Sequence, residues 1–212
     1  MFRSILDRFT ALAGLLVASP VLAAAAICVV VQDGKPILFR QARIGRNGHP
    51  FELLKFRSMY IGRTGLSVTA GSDARVTPVG RFLRRYKLDE LPQLWNVARG
   101  DMSLIGPRPE VPEFVDLNDQ TWQQVLEVLP GICDLASLVY RNEETLLARV
   151  SETERFYREV LLPAKLALSL HYLRTRSITS DLRLLLLTLR FSFIPSGFDP
   201  KAIKQRFCFQ ED

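Results

Sequence analysis

From Phe9 to Gln32 the chain carries no charged residue: FTALAGLLVASPVLAAAAICVVVQ. As a helix rising about 1.5 Å per residue, this run would be roughly 35 Å long, enough to cross a bilayer core. Three readings compete. A cleaved signal peptide fits Arg3 and Arg8 before the run and the small residues Ala23 to Ala26 within it, but Asp7 and an odd number of cysteines count against secretion. A single-span anchor is the ordinary default. A re-entrant helix, entering and leaving on one side, draws on two further features. Pro20 removes a helical donor and crowds the preceding turn, so a kink is expected there, and Ser19 can bond to a freed carbonyl. Cationic residues also flank both ends: Arg3 and Arg8 before the run, Lys35, Arg40, Arg43 and Arg46 after it. A simple span would put one cationic flank on the wrong side. On these residues alone the re-entrant and single-span readings stand level.

The 212 residues suffice for one compact domain, and 48% hydrophobic content excludes a disordered chain. A net charge of +6, from 28 Lys+Arg against 22 Asp+Glu, implies an anionic partner. Cys28, Cys133 and Cys208 form no CxxC pair, so neither a disulfide framework nor a cysteine zinc site is expected. His49 and His171 are far apart, and no HExxH, GxxxxGK or GxGxxG run occurs.

After the apolar run the pattern turns β-like. Pro36 to Arg43 and Phe51 to Met59 flank the turn signal Arg46-Asn47-Gly48, which reads as a hairpin. In the second strand Lys55 and Arg57 would share a face about 7 Å apart, as a solvated cationic surface or as a phosphate-facing pair. Ile61 to Arg75, with Gly62, Gly65 and Gly71, reads as a mobile loop, and Val79 to Tyr86 as a short helix with a basic side.

LDELPQLWNVARG, Leu88 to Gly100, has Leu91, Leu94, Trp95 and Ala98 at helical spacing. Pro92 is tolerated only in a first turn, so the helix should start at about Asp89 or Glu90 and stop at Gly100. Asp89 is then either a plain N-cap or an ionised carboxylate available as nucleophile or metal ligand. Arg108 follows between Pro107 and Pro109, which restrict the backbone on both sides and pre-set a guanidinium fork suited to phosphate. The remainder reads as helical. Glu143 to Val160 carries Glu143, Glu144, Glu152, Glu154 and Glu159 on solvated turns. Leu161 to Thr175 and Asp181 to Ile194 are both apolar and cationic, the second being either a core helix or an interfacial one.

KFRSM (Lys55 to Met59), DARVTPVGRFLRRYKLDELPQLWNV (Asp73 to Val97), GDMSLIGPRPE (Gly100 to Glu110) and PGICDLAS (Pro130 to Ser137) occur in one order. With the Ser19-Pro20 segment they closely resemble the bacterial sugar transferases, the monotopic phosphoglycosyl transferases, over nearly the whole chain. The chain looks like a minimal member. The resemblance implies an α+β, mainly helical fold: a re-entrant membrane helix over residues 1–32 broken at Ser19-Pro20, then a catalytic domain over 33–212 on the cytoplasmic face of the bacterial inner membrane, with a small β-hairpin and amphipathic interfacial helices. It implies transfer of a sugar-1-phosphate from a UDP-sugar to polyprenol phosphate, with release of UMP and with Mg²⁺.

By the same resemblance, Asp89 becomes the covalent phosphosugar carrier, Glu90 is its partner in catalysis and at the metal, and Arg84 and Arg108 bind phosphate. Asp181 matches the acid before the family's last apolar helix. Lys87 stands where relatives often have Ser or Thr, and Cys133-Asp134 where many have Thr-Gly, which bears on the identity of the sugar. The rival class is a non-catalytic, basic, membrane-anchored adaptor for nucleic acid or anionic lipid. It accounts for the charge and the apolar run but not for the Asp-Glu dyad or the PRP run, and no nucleic-acid module is visible. A homodimer is compatible with the sequence.

Overall fold

The computed structural model describes residues 2–62, 73–194 and 196–208. The apolar run lies in one helix, α1 (Phe2–Asp33), with Pro20 inside it. Proline lacks the amide hydrogen that would reach the carbonyl four residues back. That carbonyl is Leu16's, and the Ser19 hydroxyl donates to it at 2.7 Å. The Ser-Pro pair thus satisfies its own backbone, which matters wherever water is scarce. The helix runs on through the pair rather than ending there.

α1 is held by the rest of the chain at both ends. The Ser103 hydroxyl donates to Asp7 Oδ2 at 2.5 Å, and the Val79 amide donates to Gln32 Oε1 at 2.7 Å. Ala11, Ala25 and Val29 are buried along the inner stripe, while Phe9, Leu16, Val17, Ile27 and Val31 are exposed on the outer face. Among the described residues, α1 is the one helix long and apolar enough to cross a membrane.

β1 (Leu38–Ile44) and β2 (Pro50–Phe56) form the expected antiparallel hairpin, with Gln41 opposite Leu53. The turn is a 3₁₀ segment, Arg46–Gly48, with Asn47 and Gly48 at positive φ. The segment read as a mobile loop lies largely outside the described residues. Met59 and Val76 bridge at its base. α2 (Pro78–Arg85) starts at Thr77, whose hydroxyl accepts from the Gly80 amide at 2.8 Å.

The single helix expected from Asp89 or Glu90 to Gly100 is divided. Leu88–Glu90 is a 3₁₀ turn, and α3 (Gln93–Arg99) begins only after Pro92. Two residues cause this: Lys87 sits in the left-handed region at φ 56°, and Pro92 has no amide to donate. α3 stops at Gly100, φ 93°, as the sequence indicates. Buried Asn96 fastens α3 to β2, accepting from the Leu54 amide at 3.1 Å and donating to the Glu52 carbonyl at 2.7 Å.

β3 (Ser103–Ile105) leads into the PRP run. α4 (Gln120–Val125) precedes β4 (Gly131–Cys133), which pairs with β3 in parallel. This second sheet is not foreseen by the sequence reading. It brings the GPRP and PGIC runs together so closely that a Cβ on Gly131 would lie 2.0 Å from the Gly106 nitrogen.

α5 (Leu135–Val139), α6 (Glu143–Leu147) and α7 (Thr153–Phe156) follow, with α7 passing into a π-helical turn, Tyr157–Leu161. α8 (Leu162–Thr175), α9 (Ile178–Phe193) and α10 (Pro200–Cys208) close the chain around a core of Leu135, Leu168, Tyr172, Leu184, Phe191 and Phe207. α9 contributes to this core, as the core-helix reading expects. Leu184 and Phe191 are in the core, while Leu182, Leu186, Leu189 and Phe193 remain exposed beside Arg183 and Arg190.

Candidate active site

The left-handed turn at Lys87 and the 3₁₀ turn after it aim two consecutive carboxylates at one polar cavity of about 140 Å³. Cations from three stretches of chain wall it: Arg43 and Lys55 from the hairpin, Arg84 from α2 and Arg108 from the PRP run. The outer wall comes from the C-terminal half, including Glu143, Glu144, Tyr157 and Lys165.

The two carboxylates differ sharply. Glu90 is gripped by Arg108, whose Nη2 donates to Oε1 at 2.6 Å and Nη1 to Oε2 at 3.3 Å, and Lys55 Nζ lies 3.8 Å away. Burial alone would raise the Glu90 pKa, but the charges of Arg108 and Lys55 hold it well below the usual carboxylate range. Asp89 is buried, and its Oδ1 has no hydrogen-bond partner among the described residues. Burial, followed by the Glu90 charge, pushes its pKa up. Asp89 caps neither the 3₁₀ turn nor α3, so the plain N-cap reading fails. The expectation of a carboxylate kept ionised by a helix N-terminus needs the same correction, because no helix starts at Asp89. Any stabilisation of its charge comes from the surrounding cations.

Lys55 is held between Glu90 and the guanidiniums. Burial and the Arg108 charge bring its pKa down to about 8. Arg84 pairs with Glu144 at 2.6 Å. Pro107 and Pro109 act through their carbonyls: the Gly131 amide donates to Pro107 at 2.9 Å and Arg43 Nη1 to Pro109 at 3.1 Å, fixing the backbone on both sides of Arg108.

Two residues expected at the site lie elsewhere. The Arg57 amide still donates to the Ile37 carbonyl at 2.9 Å, continuing the hairpin register one residue past β2, but its guanidinium turns away from the cavity. Its Nη2 donates instead to the Asp33 and Gly34 carbonyls, at 2.9 and 2.8 Å, at the end of α1. Asp181 is buried under α8, accepting from the Tyr172 hydroxyl at 2.6 Å, and lines neither the polar cavity nor the cleft beside it.

Other contributors were missed. The sequence places Glu143 and Glu144 on solvated turns, yet Lys165, itself buried, donates to Glu143 at 2.9 Å. Burial would raise the Glu143 pKa, and the Lys165 charge lowers it. Glu110 accepts from the Tyr157 hydroxyl at 2.5 Å and from Arg43 at 3.3 Å, tying the hairpin, the PRP run and the π-helical turn into one frame. Glu110 adjoins the PRP run and π-turns recur at functional sites, but no local spacing links either to Arg43.

Among the described residues no three His, Cys, Asp or Glu side chains converge as a ready metal cage. The donor set still fits a magnesium ion, which takes one or two protein carboxylates and completes its shell from water and phosphate oxygens. Asp89 offers an open oxygen, and Glu90 is ionised beside it.

A family model described as "Bacterial sugar transferase" matches residues 1–194. The chain is 44% identical to a putative undecaprenyl-phosphate N-acetylgalactosaminyl 1-phosphate transferase of Bacillus subtilis (strain 168), over 54% of this chain and 65% of that protein. It is 37% identical to the UDP-glucose:undecaprenyl-phosphate glucose-1-phosphate transferase of Escherichia coli (strain K12), over 85% of this chain and 38% of that protein. It is 38% identical to the UDP-N-acetylgalactosamine-undecaprenyl-phosphate N-acetylgalactosaminephosphotransferase of Aeromonas hydrophila, over 64% of this chain and 33% of that protein. The matched region is thus under two thirds of each of these relatives' length.

Proposed function

This chain belongs to the bacterial sugar transferase family, and from that premise we propose that it moves a sugar-1-phosphate from a UDP-sugar to undecaprenyl phosphate, releasing UMP, as the first membrane step of a glycoconjugate pathway. The observation that carries the reading is Asp89: a buried carboxylate oxygen without a partner among the described residues, beside a cavity walled by Arg43, Lys55, Arg84 and Arg108. A side chain so placed suits attack on an anionic phosphorus once the surrounding cations have neutralised the diphosphate.

An Asp89 oxygen attacks the sugar-bearing phosphorus. The bond from that phosphorus to the bridging oxygen breaks, and its electron pair leaves with UMP. The acceptor's phosphate oxygen then attacks the same phosphorus and returns the electron pair to Asp89. Arg108 and Arg84 hold phosphate oxygens through their planar forks, and Lys55 adds a point charge. Glu90 keeps Arg108 oriented and, with Asp89, would hold Mg²⁺; the ion when bound would neutralise diphosphate charge. Two half-reactions remove any need to bind the water-soluble donor and the lipid acceptor together.

The body over residues 33–212 works on the cytoplasmic face, and α1 is re-entrant. Both ends of α1 are tied to that body, through Asp7 and Gln32, which a straight span with its far end across the bilayer would not permit. The exposed apolar stripes of α1 and α9 suit contact with the membrane interface. An adaptor without catalysis is disfavoured, because it has no use for a buried, unpartnered carboxylate costly to the fold.

The test uses the full chain in detergent or nanodiscs with a panel of UDP-sugars and no lipid. A burst of UMP, no more than stoichiometric with enzyme, and a sugar phosphate on Asp89 by mass spectrometry are expected. UMP release only when lipid is present, with no adduct, would overturn the covalent route.

A further inference from the structure

The polar cavity shares a wall with a second, larger cleft of about 380 Å³ between the N-terminal half of α1, α3, the β3–β4 pair and α9. The two share Lys87, Glu90, Arg108, Glu143, Glu144 and Lys165 as a common wall. Beyond that wall the lining changes character. Leu91, Leu94, Leu104, Ile132, Leu138 and Leu189 make it apolar. Arg141 lines the cleft but not the polar cavity, and its Nη2 donates to the Arg85 carbonyl at 3.2 Å.

The charged end holds carboxylates as well as cations, but Arg108 and Lys165 are paired with Glu90 and Glu143, whereas Lys87 and Arg141 carry no ion pair among the described residues; with hydrocarbon along the rest, this suits an amphiphile with an anionic head. Two of its walls, α1 and α9, are also the helices that carry exposed apolar stripes, with Leu16 and Val17 on one and Leu182 and Leu186 on the other. A lipid could therefore reach the cleft from the side without taking its chain through water. Resting on the function proposed above, we infer that this cleft is the acceptor site: the lipid phosphate lies between Lys87 and Arg141, and the first part of its isoprenoid chain lies against Leu91, Leu94, Leu138 and Leu189. The donor diphosphate takes the opposite side of the shared wall, at Arg43, Lys55 and Arg84. From the acceptor side a phosphate oxygen forms its bond to the sugar-bearing phosphorus as the Asp89 oxygen–phosphorus bond breaks, leaving Asp89 as a free carboxylate and a lipid diphosphate as product.

The assignment separates two variants from a control. Leu189→Trp fills the cleft, Arg141→Gln removes its private cation, and Val160→Trp makes a like enlargement at an exposed position of the π-helical turn that lines neither cavity and lies off both apolar stripes. Each is assayed as the full chain in nanodiscs, once for the UMP burst without lipid and once for the KM of undecaprenyl phosphate. Leu189→Trp and Arg141→Gln should raise that KM by about tenfold or more, the scale of losing one charged or close-packed contact, with a burst still present. Val160→Trp should match wild type in both assays. Unchanged KM values in the first two variants, loss of the burst in them, or an equal rise in Val160→Trp would each overturn the acceptor assignment. A wild-type chain that gives no burst would overturn instead the covalent reading on which it rests. If Leu189→Trp does not fold, Gly14→Leu narrows the same cleft from α1, where a Cβ would already lie 3.5 Å from Leu94.

Discussion

Arg108 meets Glu90 fork to fork, at 2.6 and 3.3 Å, while the neighbouring Asp89 has an oxygen with no partner among the described residues. One arginine therefore divides a pair of adjacent carboxylates into a structural anion and a reactive one. Glu90 carries its charge because Arg108 and Lys55 neutralise it. Asp89 lies in the field of that charge and under its own burial, so its charged form is the costly one.

Asp89→Asn should abolish turnover and the lipid-independent UMP burst without loss of stability. Folding raises the Asp89 pKa, so the ionised side chain costs stability above that value, and the cost disappears as pH falls towards the unfolded value. A neutral amide removes the cost at neutral pH. The expected melting temperature is equal to or above wild type. An active Asn variant, or one that melts clearly lower, would refute the nucleophile assignment or its electrostatic basis.

Glu90→Gln should do the reverse. It leaves the Arg108 guanidinium partly buried without its anion, and a loss of about 2–3 kcal/mol is expected, below the usual range for fully buried pairs because Arg108 is partly exposed. Folding depresses the Glu90 pKa, so its contribution is present above the unfolded value near 4.5 and is lost as pH falls through the folded one. Denaturant titrations of wild type and variant should differ at pH 7 and converge in acid.

Arg108→Lys keeps the charge but cannot keep both bonds to Glu90 or grip two phosphate oxygens at once. Turnover should fall by about 10²–10³-fold, the scale of removing one oriented donor from a developing anion. Circular dichroism should show the fold retained. Near-normal turnover would rule out the bidentate role, and the same comparison applies to Arg84→Lys.

Lys55 supplies a pH test. Its pKa is lowered to about 8 by burial and by Arg108, so its positive charge is lost as pH rises through that value. If the ammonium holds donor phosphate, kcat/KM, which reports the free enzyme, should decline on an alkaline limb near pH 8. Lys55→Arg should move that limb to higher pH, since arginine stays charged. A limb that does not move would assign it to another group.

Much of this site was legible in the sequence because the responsible signals are local. Pro92 limits where a helix can start, Gly100 stops it, and the two prolines around Arg108 fix a cation shortly after a pair of acids. What escaped depends on chain segments far apart. A three-residue strand has no periodicity, so nothing local announces that Ser103–Ile105 pairs with Gly131–Cys133. The left-handed turn at Lys87 is likewise silent, because lysine has no special preference for it. Glu143, Tyr157 and Lys165 reach the cavity only because α6, the π-turn and α8 fold back over it. Strand alternation says nothing of where the long Arg57 side chain finds its acceptors, which are the Asp33 and Gly34 carbonyls at the end of α1.

The anchor gives the last prediction, and it turns on Leu16, Ser19 and Pro20. Pro20 cannot bond to the Leu16 carbonyl, and Ser19 does so in its place at 2.7 Å. Pro20→Ala restores the amide donor and relieves the crowding of the preceding turn, which favours a straight helix. A straight α1 of this length can span, but it must then give up either the Asp7–Ser103 or the Gln32–Val79 tie. With Cys28, Cys133 and Cys208 replaced by Ser, a single cysteine before Asp7 reports the side on which the N-terminus lies. In the parent chain it should resist membrane-impermeant thiol reagents applied to intact cells and react once the cells are opened. In Pro20→Ala a fraction should become reactive in intact cells, with activity falling in proportion. Ser19→Ala leaves the carbonyl unpaired and should lower stability, not invert the N-terminus. Labelling of the parent N-terminal cysteine in intact cells would show that α1 is a simple span.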